Sequence, residues 1–387
     1  MARNASRRPL SGLRVLDLSR YLPGPFVSAV LADLGATVTK IEDAETGDLL
    51  RVMPPALKDG SDSALHAWLN RGKKSLSLNL KTNEGRTVVR DLARRSDVLI
   101  ESFRPGVMRR MGLDAPRLRK IAPRLLYVSL SGCGAAGPRA GRALHDINAA
   151  GLAGLLSPDA VAPAGLAVDT SLALLALVAI LAKLPKGGRR TDRGGAIDLS
   201  LLDGALTLMS LPLARALNAR EADQGELTGG FACYRAYECA DGLRLAVGAL
   251  EPHFYASVCE AMGLSAHARH QWKRSKQPEI IADFERAFRS RSRAEWLSIL
   301  EPKDACVTPV HSVAEAMQEG QALARHSFAP HRARLGTFKA PAFAPSLTGR
   351  SARPRAPRQG QHSREILLGL GYSKARIADL RASGVIR

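Results

Sequence analysis

The stretch from residue 12 to residue 43 constrains the fold of this chain more than any other. GLRVLDLS (12–19) is an apolar run of strand length. GPFVSAVLADLG (24–35) spaces its apolar residues as a helix does and stops at a glycine, a common helix end. ATVTKIED (36–43) is a second strand that ends in acidic residues. Two strands joined through a helix must lie parallel, since only a crossover connection returns the chain to the same end of a sheet. The pattern recurs in the strand KSLSLNL (74–80), the helix NEGRTVVRDLARR (83–95), the strand DVLIES (97–102), a helix reaching 120, and the strand LLYVSLS (125–131). This predicts an α/β fold whose large domain is Rossmann-like and doubly wound.

After GELTGG (225–230) the character changes. FACYRAYECADGLRLAVGAL (231–250) reads as a hairpin turning at Asp241-Gly242, and helices follow to about residue 300. The expected division is a large α/β domain over 1–210 and a small α+β domain over 225–328. A Pro/Arg-rich linker over 329–358 and a C-terminal segment over 359–387, returning to the large domain, complete it.

Composition narrows the class. With 45% hydrophobic and 24% charged residues the chain has the balance of a globular protein. Its longest apolar run, TSLALLALVAILA (170–182), is too short to span a bilayer and is bracketed by Asp169 and Lys183, which predicts a buried helix and no membrane span. The basic N-terminus lacks the apolar core of a secretory signal. Five cysteines without a CxxC pair read as reduced thiols in a cytoplasmic protein. The net charge of +20 is spread along the chain, with denser patches at 4–8, 104–120, 186–193 and 332–358. Only 5% of residues are aromatic, so few rings could stack on bases, and a solvated arginine-rich surface is the reading rather than nucleic-acid binding.

One glycine motif and four polar residues stand out. SGCGAAG (131–137) contains G-x-G-x-x-G after a strand, but Pro138 and RAGRAL follow where a dinucleotide fold needs a helix N-terminus, so a turn is expected. His145 and Asp146 precede a short helix, with Asp146 as its N-cap, and Asp169 stands where an N-cap belongs before SLALL. Glu251 precedes Pro252 at a strand-to-helix junction. From spacing alone, a capping or flanking role is the preferred reading for His145–Asp146, Asp169 and Glu251. Helix N-termini are also favourable places to hold a developing enolate.

Taken together, PLSGLRVLDLSRYLPGPFVSAVLADLGATVTKIE, NRGKKSLSLNLK, DVLIESFRPGVMRRMGL, HDIN, YECADGLRLAVGALEPHFY, DACVTPV and GYSKARIADLRASGVI resemble the family III CoA-transferases. HDIN, GALEPHFY and DACVTPV look like the branch of alpha-methylacyl-CoA racemases. The resemblance implies an interlocked, ring-like homodimer with its active site between the large domain of one chain and the small domain of the other. It implies His145 and Asp169 as two bases, and Glu251 as the carboxylate that orients the histidine. It assigns coenzyme A contacts to Lys81, Phe103, Arg104, Arg110, Asp146, Ile147 and Asn148. The implied reaction is two-base 1,1-proton transfer on a 2-methyl-branched acyl-CoA in lipid metabolism. No cofactor or metal is required, coenzyme A being part of the substrate. A CoA-transferase using Asp169 as nucleophile is the first alternative, and a CoA-binding homologue without turnover the second. The chain departs from the family pattern at Asp43, where racemases carry an arginine, in TSLALL after Asp169, and at Gln361.

Overall fold

A computed structural model describes residues 8–58, 60, 62–156, 165–184, 194–218, 225–343, 348 and 353–387. The basic glycine loop at 186–193 lies outside the described residues. The chain divides into two units, Met1–Ser210 with Leu323–Arg387, and Leu211–Ala322.

In the first unit, strands β1 (Arg14–Leu18), β2 (Thr37–Glu42), β3 (Lys74–Ser77), β4 (Val98–Glu101), β5 (Leu126–Ser131) and β6 (Gly195–Ser200) form one sheet in the order β3-β2-β1-β4-β5-β6. Every pairing in it is parallel. Alternation along β1 sends Val15 to one apolar core and Leu16 and Leu18 to the other, so both faces need cover. One face is packed by α1 (Pro23–Asp33), α6 (Asp146–Leu152), α7 (Ala167–Lys183) and α8 (Leu201–Leu208). The other is packed by α3 (Asn83–Arg94), α5 (Ala115–Ile121) and the C-terminal helices Ser363–Leu370 and Lys374–Ala382. Short helices α2 (Ala64–Leu69) and α4 (Val107–Arg110) complete this part. Strand order reverses between β1 and β4, and a ligand crevice opens at such a switch point, beyond the carboxyl ends of the strands.

The second unit pairs β7 (Tyr234–Glu238), β8 (Arg244–Gly248) and β9 (Val307–Pro309) antiparallel, with Gly242 taking a positive φ of 73° in the expected turn. α9 (Ser210–Asn218) stands at its start, and α10 (Pro252–Ala261), α11 (Gln277–Phe288) and α12 (Arg293–Leu300) follow the hairpin. Tyr237, Tyr255, Phe284, Phe288 and Trp296 fill its core.

Three expectations change. The single helix expected up to residue 120 is two, α4 and α5, because Gly112 at φ 69° turns the chain between them. The stretch 329–358 is not an unpaired linker throughout: β10 (Phe328–Ala333) and β11 (Gly336–Pro341) form a hairpin there, which prolines at 330 and 341 disguise in the sequence. α7 is buried along one side only, since Leu174 (44%), Val178 (65%) and Leu181 (43%) are exposed on the other. Among the described residues no helix is long and apolar enough to cross a membrane.

Candidate active site

The loops that leave β1, β4 and β5 surround a cleft of 690 Å³ in the first unit, lined among others by Arg20, Tyr21, Phe103, Arg104, His145 and Asp169. His145 is the N-cap of α6, exposed to the cleft, with its ring edge-on to Tyr21 at 6.4 Å. Its N–H donates to Asn148 Oδ1 at 3.0 Å, which fixes the entry into the helix. Asp146, expected to be the cap, is instead the first helical residue and is buried. Its Oδ2 accepts the backbone N–H of Asp169 at 2.9 Å and so ties the start of α7 to the start of α6.

Asp169 is not an N-cap either; it is the third residue of α7, half-buried in the cleft. Burial, helped by the negative charge of Asp146, pushes its carboxyl up to about 6. Position in a first helical turn favours the ionised form, but desolvation and a like charge outweigh it. The result is a carboxyl able to hold or release a proton near neutrality.

A chamber of 140 Å³ adjoins this cleft, sharing Arg20 and Phe103 with it and reaching Leu78, Leu80, Lys81 and Asp43. The Arg20 guanidinium lies over the Phe103 ring, 4.9 Å from its centroid. Asp43 folds back on its own turn, accepting the N–H groups of Glu45 and Thr46 at 3.0 Å. Burial works against its charge, yet these hydrogen bonds and the field of Arg20 hold its carboxyl below the usual range.

Of the expected ligand contacts, Phe103, Arg104, Asp146 and Ile147 line the cleft and Lys81 lines the chamber. Arg110, in the last turn of α4, and Asn148 are exposed and line neither. Glu251 is the N-cap of α10 in the second unit, exposed and making no side-chain cap bond. The glycines of SGCGAAG form a turn, with Gly134 N–H donating to Ser131 Oγ at 2.9 Å, and the next helix begins only at Asp146.

Beneath the chamber lies a buried ion network that hydropathy gave no sign of. Asp17 accepts from the hydroxyls of Ser19 and Ser28, both at 2.5 Å, and faces Lys73 at 3.1 Å and Lys40 at 3.8 Å. Lys40 also donates to the Ser19 carbonyl and pairs with Asp48 at 3.2 Å. Burial opposes the Asp17 charge, but the two ammonium groups and the hydroxyls hold its carboxyl well below the ordinary range. Burial and the charge of Lys40 pull Lys73 down to about 8. The network fixes the carboxyl ends of β1 and β2, from which Arg20 and Asp43 project.

A sequence profile of CoA-transferase family III matches residues 10–363. The chain belongs to that family. It is 36% identical to the human (Homo sapiens) alpha-methylacyl-CoA racemase, covering 97% of each chain. It is 32% identical to succinyl-CoA:glutarate CoA-transferase of Mus musculus, over 98% of this chain and 91% of that one. Among solved structures, a CAIB/BAIF family protein from Brucella suis superimposes with a TM-score of 0.77 at 27% identity, covering 94% of this chain and all of that one. Family III thus includes relatives of both activities. Within this member the residue that motif reading missed is Arg20, which stands where cleft and chamber meet. Nothing in SRYLPG marks it out; only the strand order brings it beside Phe103.

Proposed function

We propose that this family III protein is a cofactor-independent racemase or epimerase of 2-methyl-branched acyl-CoA thioesters. The observation that carries the reading is that His145 and Asp169 line one cleft, each at the start of its own helix, with the Asp169 carboxyl raised to about 6. The thioester acidifies the α-carbon. One of the two groups removes the α-proton from one face, and the other returns a proton to the opposite face. The first turn of α7 supplies positive dipole to the enolate that forms between these steps. The His145 imidazole carries a ring nitrogen that can take or return a proton.

The nucleotide end of coenzyme A belongs in the chamber with Lys81, and its phosphates at the junction where Arg20 and Arg104 stand. Arg20 then supplies the cation that racemases carry at the position of Asp43. Arg20→Ala is therefore expected to weaken CoA binding at least about tenfold, the cost of one charge-assisted phosphate contact. Isothermal titration with free CoA measures it, and unchanged affinity removes Arg20 from the site.

The functional assembly proposed is a homodimer in which Glu251 of the partner subunit orients His145. The apolar side of α7 left exposed at Leu174, Val178 and Leu181 supports a buried contact of this kind. Light scattering should give the mass of two chains at micromolar concentration; a stable, folded single chain would count against it.

The deciding experiment is incubation of a 2-methylacyl-CoA with the wild-type protein in D₂O without any free acid. Deuterium should enter the α-carbon. A protein that exchanges no α-proton but moves CoA onto an added carboxylic acid, leaving a hydroxylamine-sensitive adduct on Asp169, is a transferase instead.

A further inference from the structure

A second cavity, of 530 Å³, lies in the first unit and has one lining residue in common with the acyl cleft, Met53. Five arginines line it, Arg51, Arg332, Arg334, Arg355 and Arg358, against one acid, Asp62. Arg51 is already matched, donating to both carboxylate oxygens of Glu42 at 2.8 Å, and Asp62 is engaged by His66 Nδ1 at 2.9 Å. The side chains of the other four arginines make no hydrogen bond or ion pair among the described residues.

Tertiary structure, not sequence proximity, gathers these charges. Arg332 N–H donates to the Arg353 carbonyl at 3.0 Å and Arg353 N–H to that of Pro330 at 2.9 Å, which ties the segment carrying Arg355 and Arg358 to the β10–β11 hairpin. Val52, Pro54 and Leu57 give the cavity an apolar wall. A basic patch at 332–358 is expected from sequence to be an ordinary solvated face. Four unpaired cations on one concavity, against the single carboxylate of Asp62, repel one another, and a concave site focuses their field on whatever anion enters. The guanidinium fork matches carboxylate and phosphate oxygens two at a time.

We propose that this cavity binds a small polyanion, a molecule carrying two or more carboxylate or phosphate groups on a short apolar frame. The site lies beyond the proton-transfer reading and does not depend on it.

The test is thermal unfolding of the full chain with tricarballylate or, separately, pyrophosphate, at ionic strength balanced with sodium chloride, with and without saturating CoA. A saturable rise in Tm is expected, and it should persist on top of any shift from CoA. Tighter binding of tricarballylate assigns the carboxylate class, and tighter binding of pyrophosphate the phosphate class. The double variant Arg332→Gln/Arg355→Gln should lose affinity at least about tenfold, as the removal of two charge-assisted contacts requires. Arg334→Gln, in the exposed hairpin turn, should lose it several-fold and tests the site even where the double variant does not fold. The proposal is overturned by an equal shift from chloride, by variants that bind as the wild type does, or by a shift that CoA abolishes. The arginine variants report without CoA, so failure of the acyl-CoA reading and failure of this one are separate results.

Discussion

In D₂O, His145→Ala is expected to slow α-proton exchange from one epimer of a 2-methylacyl-CoA by about 10²–10⁴-fold while affecting the other epimer less. Asp169→Asn should reverse that preference, since it removes the base on the opposite face at nearly constant side-chain volume. Equal losses from both epimers in both variants would refute the two-base arrangement. The acidic limb of the wild-type rate should follow the appearance of the Asp169 carboxylate as pH rises through about 6. Asp146→Asn keeps an oxygen to accept the Asp169 N–H but removes the like charge, and so should move that limb to lower pH.

The same carboxyl carries a stability prediction. Its folded-state pKa lies above the ordinary 3.8, so the folded state binds more protons between about pH 4 and 6, and stability falls as pH rises through that window. Asp169→Asn removes this penalty. It should stabilise the fold at neutral pH by about 1–3 kcal/mol for a half-buried group, read as a higher Tm, in the same variant that slows exchange.

Asp17→Ala should destabilise the fold by about 3–5 kcal/mol, because removing one partner of a buried pair leaves charge uncompensated. Here Lys73 and Lys40 would both lose a counter-ion that lies wholly inside the first unit. The midpoint of urea unfolding measures the loss, and a shift within error would show that the network contributes nothing. Lys73 gives the wild type its own signature. Its folded-state pKa of about 8 lies below the unfolded value of 10.5, so between these pH values the unfolded chain binds the extra proton and stability rises with pH. Lys40, raised above 10.5, contributes stability that is lost only above that value, outside the window. Lys73→Met should therefore flatten the rise between pH 8 and 10.5.

Sequence alone determined the first five strands of the parallel sheet and several of the helices that cover it. Apolar periods of two and of 3.6 residues are local and survive without a partner, as β1, α1, β2 and α3 illustrate. Family motifs likewise led to His145, Asp169 and Phe103, which the cleft brings together. Capping geometry was less legible. Whether His145 or Asp146 caps α6, and that Asp146 spends its carboxylate on the N–H of Asp169, depends on the crossing of two helices 23 residues apart in sequence. The hairpin at Phe328–Pro341 was hidden because prolines and arginines there break the alternation by which a strand is recognised. Arg20 over Phe103, the Asp17–Lys40–Lys73 network and the arginine cavity are products of strand order and of contacts across up to hundreds of residues. A charge has no period. Its meaning comes from what burial and neighbours do to it, and only the tertiary structure supplies those.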